Sequence, residues 1–500
     1  MAAALGGLAC FAPSAALAAP ADRGPVAQYV VRAHPGRLAT LDATVREVGT
    51  VVRQVRLIDA DVARLRRVDA ERLASDPRVA SITRDVSVHL ASAGAEPTGP
   101  TATLGEVADD IGAGELRARG ITGDGVDVAL VDSGVTPVAG LSGLKVVSGP
   151  DLSTDSQEPS ANHADGYGHG THMAGIIAGD DPASGVTGVA PGARLVSVKV
   201  ADSQGNTDVS QVIAGIDWVV QHAHTDGLNV RVLNLSFGTD SDQSYVTDPL
   251  AFAAEQAWRA GIVVVTSAGN LGLHAHGLTD PASDPYVLAV AAADTTGDVT
   301  QVAGFSSRGD GRRNPDVTAP GVHIASLEPS GTVIDRQFGT QARTADGGFK
   351  GSGTSQAAAV VSGAAALLLD ARPDLSPDQV KGLLVRTAVP LRTDIRAQGH
   401  GLVDVAAAVT ATASEATQRF PRADGTGSLD ASRGSAPLGA QEAQHGCSVN
   451  GQASADSGFR GQSWGSQSWA SQSWASQSWA SQSWASQSWA SQSWASLTWG

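Results

Sequence analysis

Hydrophobic side chains follow two patterns in the larger part of the chain, residues 104–410. Short runs rich in Val, Leu and Ile are apolar on both faces and end in Gly, Ser or Asn: "VDVALVDSG", "ARLVSVKV", "VRVLNLSFG" and "GIVVVTSAGN". Between them, "TDVSQVIAGIDWVVQHA" and "PLAFAAEQAWRAG" have helical spacing. Runs that are apolar on both faces are typical of buried parallel strands with helices on each side. The pattern therefore predicts an α/β fold with a mostly parallel central sheet.

A smaller unit with a different pattern precedes it. Residues 26–90 predict the order strand, helix, strand, helix, strand, from "QYVVRA", "RLATLDATVREVG", "VVRQVRLI", "DAERLASDPRV" and "ASITRDVSVHL". This order indicates a compact α+β unit of the ferredoxin-like kind. The unit holds eleven Arg against eight acidic residues, whereas the whole chain has a net charge of −16. Opposite charges favour docking of the two units.

The composition of the chain changes again at both ends. We expect a signal peptide-like segment at 1–20, a small unit at 21–95, the α/β domain at 104–410, a linker at 411–460 and a Trp-rich tail at 461–500. Segment 1–20 ends in an A-x-A cleavage pattern, although no Lys or Arg precedes Arg23. A lipoprotein at Cys10 and a disordered Ala-rich tail are the alternatives. Without this segment, Cys447 would be the single cysteine, so no intramolecular disulfide is expected.

The last forty residues are eight pentads of the SQSWA type, which carry eight of the ten tryptophans. The pentads predict either a low-complexity disordered tail or an adhesive module whose aromatic faces bind sugars, cell-wall polymers or membrane surfaces. The acidic net charge argues against a nucleic-acid partner. No apolar run in the sequence was expected to be long enough to cross a bilayer.

Polar side chains at the carboxyl ends of parallel strands are the first candidates for chemistry. Asp132, Asn234, Ser236 and Asn270 occupy such ends, while two further motifs place His169 and Ser355 at predicted helix starts. Each has an ordinary structural interpretation. Asp132 and Asn270 suit turns, His169 suits a helix start, and Ser355 suits an N-cap unless Thr354 takes that place. Together they supply a nucleophile, a base, a carboxylate and an amide donor, the set that serine hydrolysis requires. A zinc pair of His169 and His172 is a minor alternative.

Eight motifs make the chain resemble the subtilisin-like serine proteases (subtilases, peptidase S8). They are "VALVDSGV" (128–135), "GHGTHMAG" (168–175), "GVTGVAPGARLVSVKV" (185–200), "NLSFG" (234–238), "SAGN" (267–270), "FSSRG" (305–309), "PDVTAPG" (315–321) and "GTSQAAA" (353–359). The resemblance covers roughly 104–410 and implies a subtilisin-like three-layer sandwich. It also implies that segment 21–95 is an inhibitor-type propeptide of the small α+β kind.

The resemblance assigns roles to the catalytic candidates. Ser355 would attack the scissile carbonyl, His169 would act as base and then as acid, and Asp132 would orient His169. The Asn270 amide and the Ser355 N–H would form the oxyanion hole. His172 would be structural.

The resemblance also implies a substrate cleft. Ser236 and Gly238 would pair with the substrate backbone as an added strand. Phe237 would lie beside the S1 pocket, with Ala268 and Gly269 on its other side.

The implied function is that of a secreted serine endopeptidase, made as a self-processing zymogen that cuts polypeptides and is inhibited by its own propeptide. The alternative is an inactive subtilase-fold binding or adhesion protein that acts through its tail. No cofactor is expected for the chemistry. Calcium is a candidate structural ion at Asp180, Asp181 and Asp294, although Pro182 replaces an Asn usual at the family's strong calcium site.

Two further departures from the family carry expectations of their own. Gln356 follows the nucleophile where the family usually has Met, and an amide does not form a sulfoxide. The sequence therefore predicts resistance to peroxide. Segment 326–350 is long and polar, which indicates either a specificity loop or a surface insertion.

Overall fold

The computed structural model describes residues 25–85, 87–89, 99–158, 161–181, 183–272, 275, 277–414 and 417–434. The predicted signal peptide-like segment, the later part of the predicted linker and the Trp-rich tail lie outside these residues.

The small unit is a four-stranded antiparallel sheet with two helices. Its elements are β1 (Val26–Ala33), α1 (Leu38–Val48), β2 (Thr50–Val55), β3 (Ala60–Arg66), α2 (Arg67–Leu73) and β4 (Val79–Arg84), followed by the short strand β5 (Ser87–His89). The strand order is β2-β3-β1-β4. The sequence pattern did not predict β3 ("ADVARLR"), since it assigned no element between the strand "VVRQVRLI" and the helix "DAERLASDPRV". In the structure the chain turns at Arg56–Ile58 and runs back antiparallel to β2.

The large unit contains the remaining elements. The strands are β6 (Asp127–Asp132), β7 (Val146–Asp151), β8 (Asp180–Asp181), β9 (Val186–Thr187), β10 (Arg194–Lys199), β11 (Asn206–Asp208), β12 (Val230–Leu235), β13 (Val263–Ser267), β14 (Leu288–Asp294), β15 (Gln301–Val302), β16 (Val317–Pro320), β17 (Ile324–Ser326) and β18 (Phe349–Gly351). The helices are α3 (Leu104–Asp110), α4 (Ala113–Ala118), α5 (His169–Ala178), α6 (Val209–His222), α7 (Pro249–Arg259), α8 (Val333–Ala342), α9 (Thr354–Ala371), α10 (Pro377–Thr387), α11 (Ile395–Gln398), α12 (Val405–Thr410) and α13 (Leu429–Ser432).

The predicted parallel sheet is confirmed as the centre of this unit. Its path is β15-β14-β13-β12-β6-β10-β7, with β16 also paired to β14. Among the strands described for this sheet, only β15 runs antiparallel to its neighbour. Helices flank the sheet: α5 packs against α9, and α6 packs against α7. Because β13, β12 and β6 are neighbours and parallel, the polar residues that follow them gather at one edge of the sheet.

Helix α9 is a core helix. By length and mean hydropathy (1.3) it would be long enough to cross a membrane, which the sequence analysis had not expected of any run. However, 89% of it is buried inside the protein, where it packs against β12, β13, β14 and α5. Small side chains such as Ala357 and Gly363 allow this close packing, since a Cβ on Gly363 would lie 2.6 Å from the Val189 Cβ.

The small unit docks on the outer helices α6 and α7. Val55 and Ile58 of the small unit are buried in one continuous cluster with the core of the large unit. The Asp217 carboxylate on α6 accepts hydrogen bonds from the N–H groups of Arg56 (3.2 Å) and Leu57 (2.9 Å). Beyond the sheet, β5 pairs antiparallel with β11 of the large unit.

Residues 417–434, which the sequence placed in a linker, lie on the surface of the large unit. We call this segment the C-terminal arm. Except for the short helix α13, its backbone is held by individual contacts rather than by a regular element. For example, Ala423 N–H donates to the Glu255 carboxylate (2.7 Å), and Tyr286 OH donates to the Phe420 carbonyl (2.8 Å).

Candidate active site

Asp132 and His169 form a buried, hydrogen-bonded pair. Asp132 is the last residue of β6 and His169 the first of α5, and the two are 1% and 3% exposed. Nδ1 of His169 lies 2.8 Å and 2.9 Å from the two carboxylate oxygens. A carboxylate accepts hydrogen bonds, so Nδ1 carries the proton and Nε2 is left as the basic nitrogen. Nε2 is buried and has no hydrogen-bond partner among the described residues.

The pKa of His169 is raised above its usual range. Burial is the largest influence and lowers the pKa, because it disfavours the charged ring. The charge and hydrogen bond of Asp132, with a further contribution from the charge of Asp165, outweigh burial. The site therefore stabilises an imidazolium at this position, as a general base requires once it has taken a proton.

Asp165 holds the first turn of α5 in place, and the sequence analysis missed it. Its carboxylate accepts hydrogen bonds from Gly168 N–H (2.7 Å), Thr171 N–H (2.8 Å), the Thr171 hydroxyl (2.7 Å) and the Ser133 hydroxyl (2.9 Å). Ser133 in turn bonds to Asp132, so the network reaches the carboxylate that orients His169. The available signal was an acidic residue within a Gly- and His-rich stretch, which has no periodicity.

Ser355 is the second residue of α9 and is 3% exposed. Its hydroxyl donates to the Ser236 carbonyl at 3.3 Å, and the Ser236 hydroxyl donates to the Ser355 carbonyl at 3.1 Å. Neither Ser355 nor Thr354 caps the helix, because Gly353 occupies the N-cap position. No cap side chain of the described residues blocks this helix end, so the positive end of the helix dipole lies at the nucleophile, where it favours negative charge.

Asn270 is fixed by the residue that precedes Ser355. Its Oδ1 accepts from the Thr354 N–H (3.0 Å) and from the Thr354 hydroxyl (2.9 Å). Gly269 N–H also donates to the Thr354 hydroxyl, at 3.2 Å. Two bonds to Oδ1 set the plane of the amide group and leave Nδ2 for another acceptor.

The two predicted walls of the substrate cleft meet around Thr279. A Cβ on Gly238 would lie 2.5 Å from the Thr279 hydroxyl, and one on Gly269 would lie 2.5 Å from its methyl group. Gly269 has φ +104, which favours glycine there. Phe237 is 3% exposed and Ala268 fully buried, so their side chains support the cleft from below rather than line an open pocket.

The Ser236 side chain is committed to internal contacts. Besides its bond to Ser355, its hydroxyl accepts from the Asn234 amide at 2.8 Å. Asn234 is itself bound by the Ser362 hydroxyl (2.9 Å). Asn234 and Ser236 thus tie the end of β12 to α9 and fix the distance between sheet and nucleophile.

His172 is a structural residue in this arrangement. Its ring is buried, and its Nε2 lies 3.0 Å from the Phe349 carbonyl. Burial lowers its pKa to about 4, so the ring is neutral and donates to that carbonyl. His169 and His172 therefore have separate partners, which argues against the zinc pair.

The candidate calcium ligands are engaged in local turns. Asp181 on β8 accepts from the Ser184 hydroxyl (2.6 Å), and Asp294 at the end of β14 accepts from the Thr296 hydroxyl (2.6 Å). Asp180 lies beside Asp181 on β8. Among the described residues, no group of three or more His, Cys, Asp or Glu side chains is placed to hold a metal ion. Pro182 lies outside the described residues.

The polar segment 326–350 packs beside His169 and forms one wall of a pocket there. The sequence analysis did not predict its helix α8, whose first N–H groups bond to the carbonyls of Gly166 and Tyr167 (both 3.0 Å) just before α5. A pocket beside His169 is lined by residues of this segment, by Gln356 and by the first turn of α5. Burial, followed by the charge of Asp165, raises the pKa of Glu328 in this pocket to about 10.

Comparison with known proteins gives one consistent result. The sequence model of the subtilase family matches residues 123–427. The chain is 38% identical over 277 residues to the serine protease AprX of Bacillus subtilis (strain 168), covering 53% of this chain and 61% of AprX. It is 35% identical over 364 residues to subtilisin E of the same strain, covering 72% of this chain and 83% of subtilisin E. Among solved structures it is similar to fervidolysin from Fervidobacterium pennivorans, described as a keratinolytic enzyme related to subtilisin. The TM-score is 0.62 with 26% identity, covering 79% of this chain and 63% of fervidolysin.

Proposed function

The chain belongs to the subtilase family of serine endopeptidases, and on that premise we propose that it hydrolyses peptide bonds through Asp132, His169 and Ser355. The observation that carries the proposal is the bond from His169 Nδ1 to both Asp132 oxygens, which leaves a basic Nε2 buried and without a partner in the part of the chain that the structure describes. A serine hydroxyl at the start of a buried helix, fixed to the same edge of the sheet, supplies the nucleophile.

In the proposed reaction the Ser355 hydroxyl, which donates to the Ser236 carbonyl in this structure, turns toward His169 Nε2. The Ser355 hydroxyl attacks the scissile carbonyl carbon while its proton passes to His169 Nε2, and the carbonyl oxygen becomes an oxyanion. His169 then gives that proton to the leaving amine, which departs and leaves an acyl-enzyme. Water then attacks the acyl carbon while His169 Nε2 takes one of its protons. The bond between the acyl carbon and Ser355 Oγ breaks, Oγ regains the proton from His169, and the carboxylic acid product is released. Asp132 keeps the ring in the required tautomer and stabilises the imidazolium at each stage.

The oxyanion is stabilised by donors that need no rearrangement. Nδ2 of Asn270 is available because Oδ1 is bound by Thr354, and the Ser355 N–H belongs to the first turn of α9. Ser355 is buried and Asn270 is half-buried, so both donors lie largely out of solvent, where fixed dipoles act more strongly than in water. The oxyanion would also lie at the N-terminus of α9, an 18-residue helix whose dipole is positive at that end.

We also propose that the protein is made as a zymogen whose residues 21–95 act as an inhibitory propeptide. The small unit is docked on α6 and α7, and β5 adds a strand to β11. Strand β11 lies close to the loop before His169, since a Cβ on Gly205 would lie 2.8 Å from the Tyr167 ring. A strand added there would compete with a substrate strand for this side of the site, in the manner of a bound peptide. Cleavage is proposed between about 88 and 104.

We further propose secretion, a structural calcium ion and surface contacts of the Trp-rich tail. Secretion rests on the segment 1–20 and on similarity to subtilisins. A structural calcium ion at Asp180, Asp181 or Asp294, and contact of the Trp-rich tail with cell walls or membrane surfaces, rest on the sequence alone. The competing function is an inactive subtilase-fold protein that binds through its tail.

One paired experiment separates these functions. The wild-type chain and Ser355→Ala are expressed side by side, the mature N-terminus is read by mass spectrometry, and casein hydrolysis is followed by fluorescence. We expect only the wild type to lose about 90 N-terminal residues, in keeping with the proposed boundary, and to cut casein. If both chains stay full length and inactive across several pH and calcium conditions, the endopeptidase proposal fails and the binding function gains support.

A further inference from the structure

The C-terminal arm (417–434) contacts the small unit as well as the large one. Two arginines make the connection, one from each side. Arg32 of β1 extends into the arm, and Arg433 of the arm extends to the end of β4. Both arginines are buried, with 6% and 2% of their surface exposed. Burial of a guanidinium is costly unless its donors are satisfied. The Nη donors of both arginines have partners across the interface, whereas Arg433 Nε has none among the described residues.

Arg32 has partners in both units: its Nε donates to the Ile58 carbonyl of the small unit (2.9 Å), and its two Nη atoms donate to the arm. Its Nη1 donates to the Gly425 carbonyl and its Nη2 donates to the Asp424 carbonyl at 2.6 Å. The guanidinium also lies over the Phe252 ring of α7, 5.2 Å from its centroid. Gly425 has φ +61, and a Cβ there would lie 2.9 Å from the Phe252 Cβ. The arm thus closes over Arg32 with a glycine that the site requires.

Arg433 binds two residues that lead from the end of β4 into strand β5. It donates to the Arg84 carbonyl (2.7 Å) and to the Asp85 carboxylate (2.9 Å). The Arg433 and Asp85 side chains are 2% and 3% exposed. Asp85 also accepts from the Ser210 hydroxyl of α6 (2.7 Å). Three parts of the chain therefore meet at one carboxylate, two residues before β5 begins.

The arm is anchored to the large unit independently of the small one. The Ser432 hydroxyl donates to Asp248 (2.6 Å), and the Thr239 hydroxyl donates to the Ser432 carbonyl (2.5 Å). Gly427 N–H donates to the Thr247 carbonyl (2.7 Å). Because these contacts do not involve the small unit, the arm remains in place after the connection at about 88–104 is cut.

We infer that the C-terminal arm is a docking surface for the cleaved small unit, which it retains on the protease through Arg433 and through the carbonyls that receive Arg32. The consequence for activity rests on the proposed zymogen function. Retention would prolong inhibition after the peptide bond is cut, because a buried ion pair mainly slows dissociation. The arm would thereby set the delay between cleavage and activity.

The test measures retention without using catalysis. The full chain carries Ser355→Ala and a recognition sequence for a site-specific protease placed within residues 90–98. After cleavage in trans, release of a fluorescently labelled small unit is followed on dilution. Arg433→Met is expected to speed release about tenfold or more, because it leaves Asp85 buried without its cation. The matched control is Arg422→Met. Arg422 is on the same arm but contacts Glu255 and the Tyr286 ring of the large unit, and its replacement is expected to change release by less than about twofold.

A second variant keeps the inference testable if Arg433→Met perturbs the arm. Arg32→Met removes the contact from the other side and is also expected to speed release. Its control is Arg46→Met, since Arg46 pairs with Asp42 within the small unit. Equal release rates for the parent, Arg433→Met and Arg32→Met would overturn the inference, and so would equal acceleration by Arg433→Met and Arg422→Met.

Failure of this inference is distinguishable from failure of the proposed function. If Arg433→Met and Arg32→Met leave release of the small unit unchanged in the Ser355→Ala background, while the wild type hydrolyses casein, only the proposed role of the arm is rejected. If these two variants release the small unit faster but the wild type does not hydrolyse casein, only the proposed endopeptidase function is rejected.

Discussion

The Thr354 hydroxyl donates a hydrogen bond of 2.9 Å to Asn270 Oδ1, so the residue before the nucleophile fixes the proposed oxyanion donor. The same hydroxyl accepts from Gly269 N–H, which ties the turn after β13 to the start of α9. Oxyanion stabilisation depends on donors already aimed at the developing charge. Thr354 therefore acts as a positioning residue for Asn270.

Replacement of Thr354 by Val is expected to lower kcat about tenfold to a hundredfold with little change in KM. The isosteric side chain removes the hydroxyl and lets the Asn270 amide reorient, and small misplacements carry costs of this size. Thr354→Ser retains the hydroxyl and should keep most activity. Steady-state kinetics on a peptide substrate give the measurement. A Thr354→Val enzyme with wild-type kcat would contradict the positioning role.

Removal of the Asn270 amide itself is expected to lower kcat more than the loss of the Thr354 hydroxyl does. Asn270→Ala should lower kcat about 10²–10³-fold, the loss found for the corresponding change in subtilisin, a relative of this chain. KM should change little, because the interaction forms mainly in the transition state. If Asn270→Ala raised KM and left kcat unchanged, Asn270 would be a substrate-binding residue instead.

The pH dependence of kcat/KM should report the ionisation of His169. The ring must be neutral to act as base, so activity is lost as pH falls through its pKa, which lies above the usual value of about 6.5. Asp165 contributes to raising that pKa. Asp165→Asn is therefore expected to shift the acid limb to lower pH, apart from any loss in maximum rate. An acid limb that stays in place would show that Asp165 acts only through the hydrogen bonds it accepts.

The sequence predicted the sheet correctly because parallel strands depend on local patterns, and the catalytic set stays a prediction in which the structure pairs Asp132 with His169. Uninterrupted apolar runs identify buried parallel strands, and their polar ends must meet at one edge. It did not predict the role of Asp165, because a buried acceptor is recognised only by the donors folded around it. It likewise assigned Arg433 to a linker, because its partners, Arg84 and Asp85, are some 350 residues away along the chain. Helix α8 was missed for a related reason: its polar sequence shows no apolar stripe, and it is held by contacts to Gly166 and Tyr167.

His172 should make the protein less stable in acid. The folded protein keeps this ring neutral down to about pH 4, whereas the unfolded chain protonates it near pH 6.5. Stability is therefore intact above about pH 6.5 and is lost as pH falls from 6.5 to 4, by at most about 3 kcal/mol. His172→Gln keeps a donor for the Phe349 carbonyl but cannot titrate in this range. Urea unfolding in the Ser355→Ala background should show a shallower acid dependence for this variant, while His222→Gln on the outer helix α6 serves as the control. Identical slopes for parent and His172→Gln would contradict the assignment.

Gln356 should protect the site from peroxide. It is the third residue of α9, follows the nucleophile directly and is 7% exposed. Apart from Met1, the chain has one methionine, Met173, which is fully buried in α5. Gln356→Met places a thioether next to Ser355, where conversion to the bulkier, polar sulfoxide would disturb the first turn of α9. We expect dilute peroxide to inactivate Gln356→Met while the wild type and Gln356→Leu, which has a similar volume but cannot be oxidised, retain their activity. Mass spectrometry should locate the added oxygen on residue 356 of the Met variant. Rapid inactivation of the wild type, or equal loss in the Leu variant, would show that the sensitive group lies elsewhere.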